Sequence, residues 1–116
     1  MKYDIIVVGG GPAGLAAAIQ ARARDRSVLV VTNEPAASPL CKAPAIENYP
    51  GIPHVSGLTL VERMLEQAKG LGAELRIGRA LSVMPMGESC VVSIGSDVEE
   101  AGAVILAPGA ARGTPL

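Results

Sequence analysis

The sequence predicts an α/β fold in which a parallel sheet, opened by a βαβ unit, carries a small antiparallel β-meander. Three observations predict it. A β-branched apolar run at Tyr3–Val8 meets a glycine cluster and then an alanine-rich segment, all within about 30 residues of a second apolar run, the span of a βαβ unit. Three short apolar runs in the second half are split by turn residues, as in a meander. The composition is 49% hydrophobic but only 2% aromatic, so the interior must be small aliphatic side chains in close helix-on-sheet contact.

The elements follow in order. Tyr3–Val8 is a β-branched run, apolar apart from Asp4, and reads as a strand buried on both faces. Ala13 to about Arg24 reads as a helix whose Leu15, Ile19 and small Ala16–Ala18 group can lie close on a sheet, with Arg22, Arg24 and Asp25 on its polar side. Ser27–Val31 is the second strand. Residues Thr32–Pro53 hold five prolines and no hydrophobic period; a loop of that length in a compact domain is usually functional. Ser56 can cap a helix over Gly57–Lys69, where Leu58, Val61, Met64, Leu65, Ala68 and Leu71 recur at three- and four-residue spacing, and Gly70 or Gly72 ends it. Ala73–Ile77 is the third main strand. Runs at Ala80–Met84, Ser89–Ile94 and Asp97–Glu100, split by Pro85-Met86-Gly87 and Gly95-Ser96, form the meander. Ala103–Ala107 is a last strand, stopped by Pro108-Gly109.

Charge and cysteine content exclude several classes. Ten basic against eleven acidic residues leave a net charge of -1 with no like-charge block, so a nucleic-acid partner is disfavoured. Cys41 and Cys90 lie far apart with no C-x-x-C and no His cluster, so neither a metal site nor a local dithiol can be written, and both read as reduced thiols of a cytoplasmic protein. The apolar stretch Ile5–Ile19 is too short and too rich in glycine for a membrane span, and Asp4 at its head argues against an export signal.

The chemistry lies in the first turn. Gly9, Gly11 and Gly14 make G-x-G-x-x-G directly after a strand and directly before a helix, which makes the parallel sheet Rossmann-like. Gly9 permits the tight turn, Gly11 lets a pyrophosphate approach the main chain, and Gly14 lets the helix pack on the strand. With Pro12 and Ala13, these residues open a helix whose N-terminal N–H groups and partial positive charge suit phosphates. The end of the second strand, where an acidic residue usually takes the adenosine ribose, reads Thr32-Asn33-Glu34. Thr32 holds the usual spacing without a charge, and Glu34 reaches the ribose from the loop or stands as a solvated acid.

Tyr3-Asp4 through Gly9-Gly10-Gly11-Pro12-Ala13-Gly14-Leu15-Ala16-Ala17-Ala18, then Glu47-Asn48-Tyr49-Pro50-Gly51, then Val104-Ile105-Leu106-Ala107-Pro108-Gly109-Ala110, together resemble the N-terminal FAD segment of thioredoxin reductase-like flavoproteins of the pyridine nucleotide-disulphide oxidoreductase family. The resemblance covers essentially the whole chain. It implies a three-layer ββα domain of the FAD/NAD(P)-binding type over residues 1–116. The NADPH domain with its C-x-x-C, and the returning part of the FAD domain, lie outside this chain. It further implies FAD as cofactor and NAD(P)H as partner cofactor of the full-length family. The pyrophosphate would lie on Gly9–Gly14, the adenosine near Thr32–Glu34 and the backbone of Ala80, and the flavin end near Asn48, with Ala107 and Gly109 at the last strand end. Alternatively, Asn48 fixes its own turn before Tyr49-Pro50. The chain departs from the family where Ala36-Ala37-Ser38-Pro39-Leu40 replaces a Gly-Gly-Gln segment, and where Pro108 replaces a threonine and so deletes a hydroxyl and an N–H.

Among single residues, no catalytic one is assigned. Cys41 reads as incidental, with a thiolate forming a mixed disulphide beside the flavin as the sharper alternative. His54 reads as a surface residue, Tyr49 as a loop anchor or a flavin neighbour, Met64 and Met84 as core filler, and Glu99-Glu100 as a solvated turn. The expected function is the FAD-binding portion of an FAD-dependent oxidoreductase, catalytically incomplete alone, acting on a redox protein or small disulphide. The rivals are a non-catalytic FAD- or ADP-binding module and a dithiol-free flavin or ferredoxin reductase. An exposed sheet edge makes a homo-oligomer the expected state.

Overall fold

The computed structural model describes residues 2–33 and 39–109. Its elements are β1 (Lys2–Val8), α1 (Pro12–Ala23), β2 (Val28–Thr32), a 3₁₀ turn (Pro39–Lys42), α2 (Gly57–Gly70), β3 (Glu74–Ile77), β4 (Ala80–Met86), β5 (Ser89–Ile94) and β6 (Asp97–Leu106). The strands form one ladder in the order β3-β2-β1-β6-β5-β4. The β3-β2-β1-β6 part is parallel, with Ile6 opposite Leu29 and Val104, and the β6-β5-β4 part is antiparallel.

Two cores sit on the two faces of the parallel strands. On one face Val7, Val28 and Val30 meet Leu15, Ala18 and Ala21 of α1 and Leu60, Val61, Met64 and Ala68 of α2. On the other, Tyr3, Ile6, Leu29 and Val31 meet Val92, Ile94 and Ala101. Strands β2 and β5 are not neighbours in the ladder, so these contacts require the meander to fold back over the sheet. The outcome is three layers, helices, parallel sheet and meander, as the sequence predicts.

Both helices end as their residues dictate. At the end of α1 the Arg26 and Asp25 amides donate to Ala21 and Arg22 carbonyls at 3.0 Å each, a Schellman closure with Asp25 at φ 60 where glycine is usual. Helix α2 starts at Ser56, whose Oγ accepts the Thr59 amide at 3.1 Å, and is closed by Gly72 at φ 102. Gly72, and not Gly70, is therefore the stop. Arg22 ties the two helix ends together by donating from Nε to the Leu71 carbonyl at 2.8 Å. Among the described residues, no helix is long and apolar enough to cross a membrane.

Five expectations need correction. The runs Asp97–Glu100 and Ala103–Ala107 are one strand, β6, because Gly102 stays extended and passes close to Asp4: a Cβ there would lie 3.2 Å from the Asp4 carbonyl oxygen. β6 thereby joins meander and main sheet. Pro85 does not break β4 but sits within it opposite Cys90, which an edge strand tolerates because the missing N–H faces no ladder partner. Glu99 is buried rather than in a solvated turn, 9% exposed and hydrogen-bonded by Arg76 across the layers, and Met84 is 56% exposed rather than core. The long loop, finally, is not featureless. Besides the 3₁₀ turn it holds a small hairpin in which the Ile46 and Val55 amides and carbonyls exchange bonds of 2.6 and 3.1 Å. Its tip is a turn with Pro50 and Gly51 central, where Gly51 takes φ 86 and the Ile52 amide donates to the Tyr49 carbonyl at 3.1 Å. Ile46 and Ile52 pack on the helix-side core, which is what holds the hairpin in place.

Candidate nucleotide-binding site

The C-terminal ends of β1, β2 and β6 meet at the glycine turn. Gly9 takes φ 116 and donates its N–H to the Val31 carbonyl at 2.8 Å, while the Ala107 N–H donates to the Val8 carbonyl at 2.8 Å. A Cβ on Gly9 would lie 1.9 Å from the Ala107 oxygen, so glycine is required by the closeness of the neighbouring strand as well as by the turn. A Cβ on Gly14 would lie 1.9 Å from the Gly9 oxygen, and it is this absent atom that lets α1 lie against the turn.

Helix α1 begins with Gly11 at its N-cap, Pro12 in its first turn, no side-chain cap and no acidic residue in that turn. Its leading amides, including Ala13 and Gly14, therefore have no intrahelical acceptor and no carboxylate competing for them. That is the donor set an anionic phosphate takes.

Beside the turn, Thr32 ends β2 at 8% exposure and Asn33 follows it, exposed. The Thr32 carbonyl accepts the Gly78 amide at 2.8 Å, which brings the corner leading to Ala80 against the end of β2. Ala80 is half-buried at the margin of the meander-side core. At the end of β6, Ala107 is half-buried and Gly109 is exposed at φ 72. The fold thus gathers Gly9, Gly11, Pro12, Ala13, Gly14, Thr32 and Ala107 around one turn, with Asn33 next to Thr32 and Gly109 two residues past Ala107, whereas Ala80 is tied to this group only through the Gly78 bond to Thr32 and itself pairs with Ile94. Glu34 lies outside the described residues.

Asn48 stands apart from this group, exposed on the hairpin, and among the described residues no hydrogen bond joins it to the glycine turn. Gly10 is the residue that motif reasoning passed over. A Cβ on it would lie 2.3 Å from Thr32 Oγ1, so the middle glycine is needed because the end of β2 leans on the turn. The signal was present as a β-branched residue at the strand end facing three consecutive glycines.

The remaining candidates take structural places. Cys41 lies half-buried in the 3₁₀ turn against the helix-side core, Cys90 lies in β5, and the two are not disulphide-bonded. His54 Nδ1 is 3.6 Å from Glu47 Oε1 with both side chains exposed. Among the described residues no group of three or more His, Cys, Asp or Glu gathers as a metal site. A separate concavity of about 210 Å³, lined by Ala16, Ile19, Gln20, Tyr49, Met64 and Gln67, shares no residue with the glycine turn and is lined by no charged side chain.

The strongest perturbations lie between sheet and meander, below the glycine turn. Burial, reinforced by donation to Glu74 Oε2 at 2.6 Å, pushes the Tyr3 hydroxyl up to about 12. The hydrogen bond from Arg76 holds the Glu99 carboxyl below its ordinary range. Backbone donation from Ser27 at 2.8 Å lowers Asp4 where β1 begins.

With this geometry in view, comparison with known proteins is specific. The family model described as pyridine nucleotide-disulphide oxidoreductase matches residues 3–116. A thioredoxin reductase of Bacillus subtilis (strain 168) is 37% identical over 108 residues, covering 93% of this chain and 34% of that protein. Among solved structures, a thioredoxin reductase from Gloeobacter violaceus superposes with TM-score 0.88 at 31% identity, covering 94% of this chain and 35% of that one. A ferredoxin-flavin thioredoxin reductase from Clostridium acetobutylicum does so with TM-score 0.88 at 39% identity, covering 100% of this chain and 40% of that one. The chain spans little more than a third of the length of these relatives. It belongs to the pyridine nucleotide-disulphide oxidoreductase family.

Proposed function

We propose that the chain is the FAD-binding portion of an FAD-dependent NAD(P)H:disulphide oxidoreductase resembling thioredoxin reductase. The observation that carries this reading is the cradle at the glycine turn: positions closed to a Cβ at 1.9 Å, beside a helix N-terminus with neither side-chain cap nor carboxylate. The residues fit the group. Gly9–Gly14, including Gly11, Pro12 and Ala13, hold the pyrophosphate on backbone amides. Thr32, Asn33 and Glu34, with the backbone of Ala80, border the adenosine. Asn48 orients the flavin end, and Ala107 and Gly109 line the mouth at the end of β6. FAD, when bound, supplies the electron-transfer chemistry, and the chain contributes binding and orientation.

In this reading the electrons come from NAD(P)H and pass to a redox protein or small disulphide. The chain alone is catalytically incomplete, and the whole protein works in the cytoplasm as a homo-oligomer. A second reading replaces NAD(P)H by reduced ferredoxin; its support is the 39% identity, over the whole chain, to a protein described as a ferredoxin-flavin thioredoxin reductase.

Titrating the purified chain with FAD tests the binding. Quenching of flavin fluorescence at one FAD per chain, competed by ADP, is expected; unchanged flavin fluorescence at excess chain would refute it. Reading the coding frame past Leu116 separates enzyme from module. A following domain with C-x-x-C supports the disulphide reductase, later domains without it support the dithiol-free reductase, and a stop codon supports a binding module.

A further inference from the structure

The glycine turn lies on a rim formed by the C-terminal ends of the parallel strands, and one cation of that rim has no structural task. Thr32 and Ile77 end β2 and β3 opposite one another. The chain then turns through Gly78 and Arg79 into β4, and the Gly78 amide donates to the Thr32 carbonyl at 2.8 Å. Arg79 therefore lies one residue past that bond and one before Ala80, whose backbone borders the adenosine in the function proposed above. It is exposed, and among the described residues no hydrogen bond or ion pair engages it. The carboxylates of the neighbouring strands are taken or distant. Glu74 accepts from Tyr3, Glu99 accepts from Arg76, and Asp97 stands opposite Ile94, two strands over from Ala80.

A Rossmann-like site reads the adenosine ribose at the end of its second strand. A carboxylate there accepts the 2′-hydroxyl and repels a 2′-phosphate, whereas a neutral strand end with an arginine beside it admits the phosphate. Here the strand ends in Thr32, which carries no charge and is buried. Its hydroxyl is packed against the glycine turn rather than presented to a ligand, since a Cβ on Gly10 would lie 2.3 Å from Thr32 Oγ1. Asn33, next in the chain, is exposed and neutral. Arginine suits a phosphate because its planar guanidinium can donate two parallel N–H bonds.

We propose that the adenosine end of this site accepts adenine nucleotides phosphorylated on the ribose 2′-oxygen, with Arg79 as the residue that sets this preference. FAD, with its free 2′-hydroxyl, is still accepted, because a neutral strand end forgoes one hydrogen bond to the ribose without repelling it. Arg79 gives up no partner to reach a ligand, so the contact costs only the ordering of its own side chain. The inference rests on the adenosine placement proposed above and adds to it the group that reads the ribose.

Isothermal titration of the purified chain with ADP and with adenosine 2′-phosphate 5′-diphosphate, the same molecule with one added phosphate, tests this, with FAD as the control ligand. The 2′-phosphate form binds about fivefold tighter than ADP, an advantage that shrinks as salt is added because the ion pair is exposed. Arg79→Ala abolishes the advantage, and Arg79→Lys, which keeps the charge but loses the two-pronged donation, retains part of it. A 2′-phosphate form that binds no tighter than ADP, the result a Glu34 carboxylate at the ribose would give, overturns the proposal while the FAD reading stands. An advantage that Arg79→Ala leaves intact overturns the role of Arg79. A chain that takes up neither nucleotide nor FAD overturns the FAD reading and this proposal with it.

Discussion

Replacing Gly14 by alanine tests the cradle on which the functional reading depends. The new Cβ would stand 1.9 Å from the Gly9 carbonyl oxygen and 2.9 Å from its carbon. Ordinary carbon–oxygen contact is roughly 3.3 Å, so the helix and the turn must separate by more than about 1 Å, and no rotamer change relieves a clash between backbone and Cβ. Separation strains the packing of Leu15 and Ala18, 1% and 0% exposed, for which overpacking costs about 1–3 kcal/mol. Against this stands a gain of about 1 kcal/mol for alanine over glycine within a helix. The net is a loss of about 0–2 kcal/mol in stability, but the larger effect falls on ligand binding, because the amides of Ala13 and Gly14 move off the phosphates. We expect FAD affinity to fall by about tenfold or more, equivalent to at least about 1.4 kcal/mol. Gly70→Ala is the control. It sits at the last residue of α2 with nothing within 4 Å of its Cβ, so the same substitution should leave FAD binding unchanged and raise stability by up to about 1 kcal/mol. Isothermal titration with FAD and urea denaturation read the two quantities. A Gly14→Ala chain with wild-type FAD affinity refutes the argument that this contact sets the phosphate site.

Asn48→Ala should weaken FAD binding by about tenfold, one hydrogen bond, with an unchanged melting temperature because the side chain is exposed; equal affinity would leave Asn48 to its own turn. Arg76→Met removes the guanidinium from Glu99 in the interlayer and should cost about 2 kcal/mol, less than a fully buried pair because Arg76 is 30% exposed, as read by the urea midpoint. Asp25→Gly relieves the φ of 60 and should stabilise by up to about 1 kcal/mol in the same assay. Glu99 and Asp4 are held below their ordinary values near 4.5 and 3.8, so the unfolded chain takes up protons first. Stability should therefore fall as the pH drops through and below that range, and Glu99→Gln should flatten the acid limb. Tyr3, raised from 10.0 to about 12, keeps its proton longer when folded, so its contribution should be lost between those values as the pH rises, and Tyr3→Phe should abolish that part of the alkaline limb.

What the sequence made legible depends on how local the cause is. The strand at Tyr3–Val8, the helix capped by Ser56 and the glycine turn each follow from residues within a few positions of one another, and the structure places them there. Gly102 misled because a glycine inside an apolar run reads as a break, whereas here it lets β6 pass close to Asp4 and keep pairing across both sheets. Glu99 next to Glu100 reads as a surface pair. Only the fold-back of the meander brings Arg76 to one of them, and that contact spans 23 residues. The hairpin in the long loop depends on Ile46 and Ile52 reaching the helix-side core, which no period within the loop could reveal. The need for Gly10 likewise arises from Thr32, a residue of the next strand.

The central claim is that the turn from Gly9 to Gly14 holds the pyrophosphate of FAD. Its most direct measurement is the absorbance spectrum and melting curve of the purified chain with and without added FAD. Flavin bands that travel with the protein through gel filtration, and a melting temperature that rises with FAD and with ADP, are the expected result. A colourless protein whose melting temperature is unmoved by excess FAD or ADP would contradict the account.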